Sequence, residues 1–307
     1  MPRSGATFRN RLACVLALAM LAGCGGERVP FARLSGLMVD EALGEVSGMA
    51  ASRRHADVLW VQDDGGNAAE LYAVDGRGTL LARARVEGVA NTDWEDLAAF
   101  GLDGRHYLLI ADTGDNGGLR RTLQLHVVEE PAALEDTTLR PAWSVAFRWP
   151  DGARDCEAAF VDADAGKVLL ISKKRHPPEL FELPLRAPAG TTVVARRLGT
   201  LAGVPRADAQ SLRDRPRAAR LVGQVTAADL SPDGRSLAVL SYRDVLFYPR
   251  QPGEPWAQVV ARGPRIRPLP ALLPQAEALA WSASGSGLFV SGEFRPAPLF
   301  YLDPAGE

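Results

Sequence analysis

Two short runs of this chain carry most of the groups that could do chemistry together. Asp93-Trp94-Glu95-Asp96 and Asp112-Thr113-Gly114-Asp115-Asn116 are both rich in hard oxygen donors. Carboxylates at that density suit Ca²⁺ or Mg²⁺. Left to themselves, they would raise one another's pKa. The runs sit at opposite ends of two apolar stretches, Leu97–Phe100 and Tyr107–Ala111, joined by a Gly/Asp turn. That is the pattern of a β-hairpin with acids at one end.

The layout recurs. Equivalent inner strands open at Ser47, Glu95, Glu157, Thr226 and Glu277, each a polar residue followed by small apolar ones. A second strand closes 15 to 17 residues later, at Asp63, Asp112, Lys173, Tyr242 and Gly292. Third strands follow at Leu71, Leu125, Leu180, Leu246 and Leu299. Fourth strands are expected over Leu80–Val86, Ala142–Phe147, Thr192–Leu198 and Trp256–Ala261. Four-stranded units at this spacing specify an all-β fold, a five-bladed β-propeller. The last unit runs out after three strands, so Val29–Met38 should supply its fourth and close the ring. A six-bladed ring is the alternative, but the irregular, arginine-rich segment 205–220 is too short for another blade. A β-sandwich would not require a repeat in this register.

If the first strand of each blade lines a central channel, residues two apart share a face. Glu45, Asp93, Asp155, Gln224 and Gln275 would then stack on Ser47, Glu95, Glu157, Thr226 and Glu277 as two polar rings, with six carboxylates among ten residues. The candidate metal ligands are Asp93, Glu95, Asp155, Glu157, Glu277, Asp112 and Asp115. A water-filled channel whose carboxylates bond backbone amides is the other reading. At the ends of the second strands, Asp63, Asp64, Asn116, Lys173, Arg243 and Glu293 should gather on one rim. Acids that hold a cation beside bases that take an anion suit a small anionic ligand such as a phosphate. Lys173 and Lys174 are two of only three lysines in the chain. The Asp112–Asn116 run does not have EF-hand spacing. No Gly-x-Ser-x-Gly, His-Glu-x-x-His or Walker pattern is present, and the four histidines show no ligand spacing. His126, Trp60 and Trp94 read as structural, and Cys156 as a buried, inert thiol.

The first residues read differently. Arg3, Arg9 and Arg11 precede the apolar run Leu12–Met20 and then Leu21-Ala22-Gly23-Cys24. A basic segment, a short apolar segment and small residues make a secretory signal, and the apolar run is too short to span a bilayer. A signal peptide is thus expected here, followed by a short tether and one propeller domain over residues 29–307. Removing the leader takes away three arginines and no acid, leaving 32 basic against 37 acidic residues. That balance opposes nucleic-acid binding, which needs a basic face.

Leu21-Ala22-Gly23-Cys24 resembles the lipobox of bacterial lipoproteins. The resemblance implies cleavage before Cys24, so that residues 1–23 are the signal peptide and 24–28 a tether, with acylation of Cys24 and attachment to a membrane of the cell envelope on its periplasmic side. The absence of Asp after Cys24 points to the outer membrane by the enterobacterial sorting pattern. Ser47-Gly-Met-Ala-Ala-Ser, Leu59-Trp-Val-Gln-Asp-Asp-Gly-Gly, Asp93-Trp-Glu-Asp-Leu-Ala, Ile110-Ala-Asp-Thr-Gly-Asp-Asn and Val225-Thr-Ala-Ala-Asp-Leu-Ser-Pro-Asp-Gly are similar to bacterial exported propellers. More distantly they resemble the SdiA-regulated and esterase-like phytase propeller groups. That implies a propeller and, for the phytases, calcium on an acidic rim and phosphomonoester hydrolysis, with no catalytic residue that transfers position by position. Three functions are therefore expected: a lipid-anchored propeller binding a ligand or protein partner, with or without a cation; a metal-dependent phosphoesterase using the rim and Lys173; or a scaffold for envelope assembly docking through Arg206–Arg220.

Overall fold

The computed structural model describes residues 30–273 and 275–306. The expected signal peptide, the expected acylation site Cys24 and the expected tether lie outside these residues. Five four-stranded antiparallel units form a ring. From the axis outward, blade 1 is Val46–Ala51, Val58–Asp63, Glu70–Asp75 and Leu80–Val86; blade 2 is Trp94–Leu102, Arg105–Asp112, Leu123–Glu129 and Pro141–Arg148. Blade 3 is Ala158–Asp162, Lys167–Ile171, Glu179–Pro184 and Arg196–Thr200; blade 4 is Val225–Leu230, Ser236–Ser241, Asp244–Pro249 and Arg265–Pro268. Blade 5 takes Ala276–Trp281, Leu288–Gly292 and Ala297–Leu302, and its fourth strand is Ala32–Met38 from the other end of the chain.

The packing explains the ring. Each sheet has two apolar faces, and one small sheet cannot bury both alone. Five separate core clusters result, one between each pair of neighbouring blades. Between blades 2 and 3, for example, Leu109, Leu125 and Phe147 meet Leu170 and Phe181, all without solvent exposure. The innermost strands of blades 1, 3, 4 and 5 are consequently buried along their whole length.

Two outer positions differ from the sequence reading. Trp256–Ala261 is a short helix, and blade 4 takes Arg265–Pro268 as its outer strand. The helix buries Trp256, Val259 and Val260 against blades 3 and 4, an i, i+3, i+4 spacing that belongs to a helix. The expected strand Thr192–Leu198 divides in two. Arg196–Thr200 completes blade 3, while Thr192–Val194 crosses to run parallel beside Pro141–Arg148 of blade 2. Thr137–Leu139 likewise crosses to the edge of blade 1. These crossings cover two sheet edges that would otherwise present unpaired backbone groups. Segment 205–220 forms two short helices, Ala209–Asp214 and Pro216–Arg220, with exposed arginines. No helix among the described residues is long and apolar enough to cross a membrane.

Candidate binding site at the acidic mouth

In four of the five blades the polar residue that opens the inner strand owes its position to a local irregularity. In blade 1 Val46 pairs with Asp63 and Gly48 with Gln62, so Ser47 is left between them. The same register shift leaves Glu95, Thr226 and Glu277 unpaired in blades 2, 4 and 5. Such a bulge breaks the strand's alternation and re-aims one side chain. Repeated around the ring, it turns small-residue strands, which would otherwise present only backbone, into a channel mouth lined by side chains. Ser47 and Thr226 spend their hydroxyls on the carbonyls of Glu95 and Ala276 in the next blade, at 2.9 and 2.7 Å. The carboxylates have no such outlet.

Asp64, Asp93 and Glu95 each bring an oxygen within 4.8 Å of the other two. Glu95, Asp155 and Glu157 do the same. Glu277 and Glu293 face them from blade 5. Two lysines serve this group: Lys174 pairs with Asp155, while Lys173 Nζ contacts Glu157 Oε1, lies 3.9 Å from Glu277 Oε1 and sits 5.2 Å from the ring centre of Tyr242. Burial works against its ammonium, but Glu157, Tyr242 and Glu277 outweigh that and raise its pKa. The surplus of acid shows in the rest. Burial, reinforced by Asp93 and Glu277, pushes Asp64 up to about 6. Glu95 is raised by burial and by Glu157. Burial, reinforced by the charges of Glu277 and Asp64, pushes Glu293 up to about 8.

The loops above the cluster are built to approach it. A methyl group on Gly65 would collide with Asp93, and one on Gly114 with both Glu95 and Asp93. Neither glycine has positive φ; their lack of a side chain is what lets the two loops close over the acids.

Several expected ligands are committed elsewhere. Asp112 forms an ion pair with Arg120 Nη2 at 2.6 Å. Asp115 accepts from the Leu119 N–H at 2.7 Å and from the Arg120 N–H, holding its own loop. Asn116 is bonded by Lys174, whose ammonium also lies 2.8 Å from Asp155 Oδ2. Asp63 accepts from the Gly44 and Glu45 N–H groups, and burial still pushes it up to about 6. Arg243 stays exposed. The second ring is also incomplete: Asp93 and Asp155 join the mouth, whereas Glu45 takes Asn67, Gln224 takes the Arg220 carbonyl and Gln275 reaches Glu293. Bulges put the alternation out of phase, which is why residues two apart do not all share a face.

Asp96 is the residue the sequence reading passed over. The inner strands have one edge toward the axis, and its N–H groups need acceptors. Asp96 Oδ1 accepts from Leu97, and Oδ2 accepts from Ala159 at 2.8 Å and Ala228 at 3.1 Å. It thereby ties blade 2 to blades 3 and 4 across the axis. It is fully buried; burial raises its pKa against the three N–H donors. The signal was available: the other four blades place Gly48, Ala158, Ala227 and Ala278 at this position. A charged residue at a position otherwise held by glycine or alanine has a task of its own. His126, bonded to Ser144 Oγ inside blade 2, and buried Cys156 are structural, as their sequence context indicates.

No protein-family model matches the chain, and comparison with curated proteins finds no relative.

Proposed function

We propose that the chain is a lipid-anchored envelope propeller that binds a small anionic ligand or a protein partner at its acidic mouth, with Ca²⁺ or Mg²⁺ held by Asp64, Asp93 and Glu95. The convergence of these three carboxylates carries the reading. None of them has an ion pair among the described residues, although Glu95 is nearly inaccessible to solvent. Oxygens bound to one ion at about 2.4 Å cannot be more than about 4.8 Å apart, and these satisfy that limit. A cation there would also compensate charge that otherwise requires protons. Asp155 and Glu157, turned toward Lys174 and Lys173, supply a flank where a ligand anion and the cation can be bound together. The lipid anchor rests on the Leu21–Cys24 motif.

Titration calorimetry with CaCl₂ and MgCl₂ tests the cation. Binding with released protons, and a melting temperature lowered by chelator, is the expected result; silence with both metals would remove the cation. Labelling with a fatty-acid analogue, lost in Cys24→Ser, tests the anchor. The phosphoesterase reading draws on the same acids but would have to recruit Lys173, whose ammonium is occupied by Glu157 and Glu277. Calcium-dependent release of phosphate from a model monoester would revive it.

A further inference from the structure

Below Asp96 the channel opens again at the other face of the ring, in a cavity of about 360 Å³ walled by blades 1 to 4 and remote from the acidic mouth. Its charged groups divide into those already used and those not. Asp162 accepts from Trp256 Nε1 at 2.8 Å and pairs with Arg250 at 3.0 Å. Asp233 bonds Ser231 Oγ and the Arg235 N–H within its own turn. Three groups retain capacity. Arg53 is fixed by its backbone N–H on Glu130 Oε2 and by Nε on the Ala99 carbonyl, at 3.1 and 3.2 Å. Neither terminal guanidinium nitrogen has a hydrogen bond or an ion pair among the described residues. Asp229 is buried, accepts from the Trp281 N–H at 2.8 Å, and has no ion pair within 4.0 Å. His106 Nδ1 is buried with no partner.

A guanidinium and a carboxylate thus line one cavity without contacting each other. A purely anionic ligand would meet Asp229 and the exposed Asp164; a purely cationic one would meet Arg53. We propose that this cavity binds a small zwitterion of amino-acid or dipeptide type, with its carboxylate on Arg53, its ammonium on Asp229 and His106 Nδ1 as a third polar contact. Arginine suits the role because its planar donors match a carboxylate two at a time. The volume falls in the range of small-ligand pockets.

Calorimetry on the full chain with glycylglycine, acetate and methylamine as probes tests this. Glycylglycine should bind at least about tenfold more tightly than either singly charged probe. Arg53→Gln and Asp229→Asn should each weaken it by a similar factor, and an amide at 229 keeps an acceptor for Trp281. Circular dichroism melts confirm that both variants fold, and the His106 imidazole resonances should shift on titration in the wild type. Binding should persist in chelator, which separates this site from the acidic mouth. No glycylglycine binding, equal binding of acetate, or undiminished binding in both folded variants would overturn the proposal.

Discussion

The two mouths of this channel are made from the same five strands and solve opposite problems. At the Ser47–Glu277 end, acids outnumber the two lysines beside them, and burial with mutual repulsion raises the pKa of Asp64, Glu95 and Glu293. At the Arg53–Asp229 end, four acids face two arginines, and three of those acids already have a donor. Asp96 stands between them. The lesson is that a propeller axis is one column of unpaired inner-strand edges, divided by whichever side chain satisfies them. What each half can bind depends on the groups left over after that.

The comparison breaks most completely if the divider is removed. Asp96→Ala leaves the N–H groups of Leu97, Ala159 and Ala228 without their acceptor and should cost about 3 kcal/mol, read from the urea midpoint. Asp96→Asn, which keeps one acceptor oxygen, should cost distinctly less. Lys173→Met comes next. It leaves Glu157 and Glu277 buried beside other acids, with an expected loss of about 2 kcal/mol at pH 8. At pH 5 that loss should shrink, because the acids can then take protons.

The acidic mouth should also announce itself in the wild type's pH dependence. A carboxyl whose folded pKa is raised binds more protons folded than unfolded at intermediate pH, so its contribution is complete below about pH 4. It is lost as pH rises through the folded values, near 6 for Asp64 and 8 for Glu293. In chelator, melting temperature should therefore fall between pH 5 and 9, and calcium should flatten the fall. A melting temperature that rises across that range in chelator would contradict the picture of the mouth. Smallest is Asp93→Asn, which removes one ligand and one like charge. Calcium affinity should fall about tenfold, while stability without metal holds or rises slightly.

The fold was largely legible in the sequence because a repeat multiplies a weak signal. Five copies of a small-apolar strand following a polar residue outweigh any single misreading, and the shortfall in the last copy pointed to Val29–Met38, within which Ala32–Met38 is the strand. The outer strands were less legible. Arg265–Pro268 is half arginine and exposed, so it carries no alternation to read, while Trp256–Ala261 had an apolar content that concealed its helical spacing. At the site, Glu95, Glu157 and Glu277 could be placed because their repeat positions are shared. Asp112 and Asp115 could not, because Arg120 and the loop amides that claim them lie in an irregular segment with no sibling to compare. Lys173 was expected on the open rim. It is instead drawn inward, since the surrounding acids offset the cost of burying its ammonium.

The strand that closes the ring has a consequence for the order of events as the chain folds. Ala32 pairs with Leu302 and Met38 with Ala297, some 260 to 270 positions along. A chain synthesised from its N-terminus must therefore keep this strand idle until blade 5 exists. Long-range pairing of this kind is slow to form. Leu34 and Leu37 remain 54% and 45% exposed even in the finished ring, and before closure they would stand on a free, apolar strand edge. The interval between synthesis and closure is thus the period in which the chain is most open to misassociation, and most dependent on whatever chaperones accompany it.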